Sequence, residues 1–302
     1  MEYTQFIEEI RQCVEVKVKN RAQVRVNRVF KNNRKPVDTL CILNAGENIS
    51  PAIYLDPYYN RYKNGDTVEE IADSILNFNR IHKVCGNMDM DFYSDYSKVR
   101  DRILCKLINF EKNRETLARI PYHRFLDLAV VYYYKMDNTI LGPGTILVQN
   151  KHLELWGVTE EQLRKEAFEN TVRILPFQLI SVEDMIRDTF GLQEDAFPEK
   201  EKVMPMYVLT NNEQNLGAVT IIFKQILRAV GEIIRRDYYI LPSSIHECMI
   251  IPDFDWIDKE VLQNMVREIN EEHVAEEEIL GESVYHYSLR DNQMTLACFG
   301  DR

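Results

Sequence analysis

Tyr238–Asp253 reads YYILPSSIHECMIIPD. Two apolar runs rich in tyrosine and isoleucine, Tyr238–Leu241 and Cys248–Ile251, flank a polar corner at Pro242-Ser243-Ser244. Short apolar runs bounded by a proline and serines predict paired strands. Immediately upstream, Val219, Ile222, Phe223, Ile226, Leu227, Val230, Ile233 and Ile234 follow the three-and-four spacing of one helix face. That pattern predicts a long helix over Ala218–Arg235, and a helix so apolar on one side must lie on a sheet. Further strands are expected at Met206–Leu209, Ser283–Leu289 and Gln293–Phe299, with a helix over Asp258–Glu272. The stretch and its surroundings therefore predict an α+β fold with mainly antiparallel sheets packed by helices.

Working back towards the start, Phe6, Ile7, Ile10 and Val14 predict an amphipathic helix from Tyr3. Strands follow at Gln23–Phe30, where Val24 and Val26 alternate with Arg25 and Asn27, then at Asp38–Leu43 and Ile49–Leu55. Asp56-Pro57 opens a helix. Asp66 or Thr67 caps another, with Glu69 and Glu70 placed for a capping box. The segment Cys85–Tyr96 has no period and predicts a junction, so two domains are expected, 1–88 and 98–302. In the second, strands are expected at Ile103–Phe110, Leu126–Tyr134 and Thr145–Gln149. Helices are expected at Lys151–Trp156, Glu160–Arg173 and Val182–Thr189.

Composition narrows the function classes. With 45% hydrophobic and 28% charged residues, the 302-residue chain is ordinary globular material. No run of apolar residues is long enough to span a bilayer, and the start MEYTQFIEEIRQ has no leader character. The six cysteines are scattered without CxxC spacing, which fits a reducing, cytoplasmic compartment. A net charge of −11 speaks against binding nucleic acid over the whole surface. The charge is uneven, however. Arg11–Lys35 holds nine basic residues against Glu15 alone, whereas Lys259–Glu282 holds eight glutamates against two basic residues.

Motifs for established chemistries are missing. There is no GxxxxGK[ST] loop, no GxSxG elbow, and His246-Glu247 lacks the second histidine of a zinc-protease helix. Asn87, Asp89, Asp91 and Asp95 imitate half a calcium loop, but Phe92 and Lys98 stand where glycine and glutamate are required. No metal site and no cofactor are expected. Three candidate sites remain. Ser244 and His246 could share a strand face as half of a nucleophilic site, completed by Asp253 or Asp255. Alternatively, the serine hydroxyls bond the turn's own backbone. Asn211 and Asn212, in TNNEQNLG, could present an anion to a helix start, or simply cap it. Arg25, Arg28 and Lys31 could meet an acidic protein or nucleic acid, or form a solvated face.

GENISPAIYLD (Gly46–Asp56), CKLIN (Cys105–Asn109), FLDLAVVYY (Phe125–Tyr133), NTVRILP (Asn170–Pro176) and YILPSSIHE (Tyr239–Glu247) resemble an uncharacterised bacterial family of gut Firmicutes, the domain of unknown function five-six-eight-eight. The resemblance implies a soluble bacterial protein and assigns no reaction. The function expected from the residues is non-enzymatic binding of another protein through the N-terminal domain, without a membrane. A Ser244/His246 hydrolase is the alternative, and nucleic-acid binding through the basic strand a weaker one.

Overall fold

A computed structural model describes residues 1–83, 91–137, 142–191, 204–242 and 244–297. Its contacts divide the chain into two units, Met1–Phe92 with Met136–Gly144, and Tyr93–Lys135 with Thr145–Arg302. Residues 85–90 of the expected junction, including Asn87 and Asp89, lie outside the described residues, as does Ser243.

In the first unit, α1 (Tyr3–Val18) leads into β1 (Ala22–Val29), β2 (Val37–Asn44), β3 (Ile53–Tyr54), α2 (Asp56–Lys63) and α3 (Val68–Ile81). The strands form an antiparallel sheet in the order β1-β2-β3. Phe6, Ile10 and Val14 of α1 and Ile71 and Ile75 of α3 bury themselves with Val24, Leu40 and Ile42 of the sheet. The capping box of α3 forms as its sequence predicts, Thr67 accepting from the Glu70 amide while Glu70 accepts from that of Thr67. The third strand is shorter than expected. The Ser50 hydroxyl, in place of a strand backbone, accepts from the Ile42 amide at 3.0 Å, and Pro51 has no N–H to give a ladder.

The other elements are α4 (Tyr96–Val99), β4 (Ile103–Asn109), α5 (Arg114–Leu117), β5 (Tyr122–Phe125), β6 (Leu128–Met136), β7 (Gly144–Leu147), α6 (Asn150–Trp156) and α7 (Glu160–Ile174). They are followed by β8 (Phe177–Ser181), α8 (Val182–Phe190), β9 (Tyr207–Asn211), α9 (Lys224–Ile234), β10 (Tyr238–Leu241), β11 (Cys248–Pro252), α10 (Lys259–Glu272), β12 (Tyr285–Ser288) and β13 (Gln293–Leu296). One antiparallel sheet runs β4-β6-β5, with β7 also on β6. The other runs β13-β12-β10-β11-β9-β8. The strands β10 and β11 of the opening stretch lie in the middle of this larger sheet. Tyr239, Leu241 and Ile251 pack one face against Leu262 and Val266 of α10. On the other, the Tyr238 hydroxyl donates to the Leu227 carbonyl of α9 at 2.8 Å. The fold is α+β, with three antiparallel sheets among the described residues.

The long helix does not run unbroken. Gly217–Ile222 is a 3₁₀ helix, Phe223 is extended (φ −94°, ψ 106°), and α9 starts only at Lys224. The Gly217 and Ala218 amides donate to the carbonyls of His246 (2.9 Å) and Ile245 (3.3 Å), and these bonds anchor the first piece to the corner. Both pieces keep the apolar spacing, so periodicity alone cannot reveal the break.

Candidate functional site

The first unit carries an open cleft of about 830 Å³. One wall is Glu15 of α1 with the turn and start of β1 from Asn20 to Arg25; the other is the loop Leu43–Asn48. The chain turns there through Lys19 and Asn20, both in the left-handed region (φ 49° and 61°), and the Arg21 carbonyl accepts from the Ala45 amide at 3.2 Å. That bond fixes the two walls relative to each other. Two carboxylates and two guanidiniums line the cleft. Glu15 is held by Arg11. Glu47 takes Lys83 at 2.7 Å and Asn44 at 2.7 Å, which together hold its carboxyl below the usual range. Arg25 donates only to the Gln23 amide oxygen, at 2.8 Å, and Arg21 has no ion pair among the described residues. The acids are engaged and the arginines are available, so the cleft suits an anion.

Of the basic residues singled out in the sequence, only Arg25 lines this cleft. Arg25 and Arg28 are three positions apart on a strand, so they point to opposite faces. Arg28 stands opposite Asp38 in the ladder, close enough to Tyr3 for its charge to be felt there. Lys31 places its ammonium 4.8 Å from the centre of the Tyr54 ring. A single basic face of Arg25, Arg28 and Lys31 does not form.

At the corner between β10 and β11, the Ser244 hydroxyl accepts from the His246 amide at 3.0 Å. The imidazole Nδ1 accepts from the Leu216 amide at 3.2 Å, and Nε2 faces the Glu278 carboxylate at 3.6 Å. Both ring nitrogens thus have partners other than Ser244. The carboxylate beside His246 comes from Glu278, and Asp253 instead holds His286 at 2.9 Å. Asn211 is 1% exposed and closes its own loop, donating to the Asn215 carbonyl at 2.8 Å and accepting from the Glu213 amide at 3.0 Å. The backbone amide of Asn212 donates to the Pro176 carbonyl at 3.0 Å. Asn211 and Asn212 thus bond the loop after β9 and its surroundings, while Ser244 and His246 bond the corner and the start of the 3₁₀ helix. Among the described residues, no cluster of three or more histidine, cysteine or acidic side chains is placed to hold a metal ion.

The model of a family of unknown function, DUF5688, matches residues 3–289. The chain belongs to this family. No curated protein and no solved structure matches it significantly. The match takes in the cleft of this DUF5688 chain and the corner alike. Among the described residues, no helix is long and apolar enough to cross a membrane. Arg21 and the loop Asn44–Asn48 were not among the expected site residues. Arg21 stood out in the sequence only as one of nine basic residues, and the loop only as a turn. Their meeting depends on the β1–β2 register, Ala22 opposite Asn44, which a single sequence does not specify.

Proposed function

We propose that this chain is a non-enzymatic, cytoplasmic bacterial protein whose first unit binds another protein through an acidic segment, taken up by Arg21 and Arg25. The observation that carries this reading is the state of the charges in the cleft. Its two carboxylates already have cationic partners, while its two guanidiniums have no ion pair among the described residues. A guanidinium without a carboxylate presents a rigid fork of donors suited to one. An acidic peptide fits better than nucleic acid. Two arginines supply few of the phosphate contacts that nucleic-acid binding rests on, and the chain as a whole carries −11. The four described cysteines are free thiols, consistent with a reducing compartment.

The test is a titration with a fluorescently labelled polyglutamate peptide. Binding is expected at low ionic strength, weakening with salt because exposed charges are screened within about 10 Å at 0.1 M. Arg21→Glu with Arg25→Glu is expected to abolish it, and Arg28→Glu to leave most of it. Equal binding by all three proteins would refute the assignment to this cleft.

A further inference from the structure

We propose that the acidic segment is bound as an additional β-strand along the free edge of β1. This rests on the acidic-partner reading above and adds the conformation and pattern of the partner. The strand order β1-β2-β3 leaves β1 at the sheet's edge, and among the described residues no strand pairs with its outer side. The hydrogen bonds identify which groups face that side. The carbonyls of Arg21 and Asn27 both point towards β2, accepting from the Ala45 amide at 3.2 Å and the Thr39 hydroxyl at 3.1 Å. Antiparallel ladders alternate, so Arg21, Gln23, Arg25 and Asn27 bond inward, while Ala22, Val24, Val26 and Arg28 turn their amides and carbonyls outward. This leaves a row of donors and acceptors about 6.8 Å apart, the template that strand addition uses.

The side chains specify the occupant. On the outer face an added strand runs beside Gln23, Arg25 and Asn27, where its acidic residues meet Arg25. On the other face it runs beside Ala22, Val24 and Val26, which suit small or β-branched residues. The bound segment is therefore extended and alternates acidic with β-branched side chains. Arg21 and the cleft receive one of its ends. A second copy of this chain is a poor occupant. Antiparallel pairing of β1 with itself about its centre sets Arg25 against the second copy's Arg25, and like charges across a ladder are destabilising.

The experiment uses the whole chain and a blocked peptide of about eight residues alternating glutamate and valine. In two further versions the glutamate amides or the valine amides are N-methylated. Only one set faces β1, so one methylated peptide is expected to bind about tenfold or more weaker than the parent, and the other equally well. On peptide addition, NMR hydrogen exchange at Ala22, Val24, Val26 and Arg28 is expected to slow about tenfold or more, while Gln23, Arg25 and Asn27 stay as they were. Equal affinity for both methylated peptides overturns strand addition. If Arg25→Glu nevertheless weakens binding, the acidic-partner reading stands without it. Parent affinity unchanged by Arg25→Glu, or no binding of the parent peptide at low salt, overturns both. Protection of the four outward amides that grows with protein concentration in the absence of peptide, together with a dimer in sedimentation, assigns the edge to a second copy and overturns the proposal.

Discussion

His152 shows how one side chain can couple local structure to pH. Its Nδ1 accepts a hydrogen bond from the Gln149 amide at 3.0 Å and lies 3.2 Å from the Tyr93 hydroxyl, and Trp156 packs against the ring. Protonating Nδ1 would set a donor against the Gln149 amide donor. Burial, and then the nearby Lys151 charge, hold this imidazole below its ordinary value of 6.5. The sign follows directly. Well above pH 6.5 neither the folded nor the unfolded chain is protonated at His152, and its contribution to stability is complete. As the pH falls below that value, the unfolded chain takes up a proton that the folded chain resists, and stability is lost until the lower folded value is passed. An NMR titration should place the His152 midpoint below 6.5, and the stability advantage of wild type over His152→Asn should shrink on acidification. A midpoint at or above 6.5 would rule this out.

At the scale of elements, the junction of the 3₁₀ helix with the corner leaves no room for a side chain at Gly217. A Cβ on Gly217 would lie 2.3 Å from the Thr210 hydroxyl and 2.7 Å from both the Asn211 nitrogen and the His246 carbonyl oxygen. Two of these three are backbone atoms and cannot swing away. Gly217→Ala is therefore expected to cost about 3 kcal/mol, at the upper end of what overpacking does. Gly231→Ala in α9 meets chiefly the end of the Leu289 side chain, at 2.8 Å, which can rotate, and should cost less. Urea unfolding of the two variants measures the difference; equal losses would contradict it.

The same junction marks the limit of what the sequence discloses. Strands β10 and β11, helix α10 and the capped α3 follow from apolar spacing, turn residues and capping signals, all of them local. The break at Phe223 does not, because the apolar period continues across it, and the bonds that tie the first piece to the corner are long-range. Nor does β5. Its centre is His123-Arg124, and its turn into β6 places Leu126 in the left-handed region (φ 54°), which leucine rarely enters. At the site, Arg25 was legible as an exposed strand residue. Its separation from Arg28 follows from the alternation of a strand, whereas its grouping with Arg21 and Asn44–Asn48 depends on register.

At the scale of the whole molecule, the second unit must hold a four-stranded and a six-stranded sheet together, and it does so partly through one carboxylate. Asp127, in the turn before β6, accepts from the Ser283 hydroxyl at 2.7 Å and from the Tyr285 hydroxyl of β12 at 2.6 Å. Asn109 of β4 adds a bond to the Leu280 carbonyl at 3.1 Å. Tyr285 is fully buried, and burial, reinforced by the charge of Asp127, pushes its phenol well above the ordinary range. Its hydroxyl therefore stays a donor and has to find an acceptor inside the protein. Asp127→Ala removes that acceptor and leaves the phenol buried without a partner, at a cost of about 3 kcal/mol. Tyr285→Phe deletes the donor along with its need, and Asp127 keeps Ser283, so the loss should be about 1 kcal/mol. In the double variant nothing polar is stranded at Tyr285, so it should be less destabilised than the sum of the two. Chemical denaturation of the three proteins forms the cycle, and strict additivity would show that the carboxylate does not join the sheets through Tyr285.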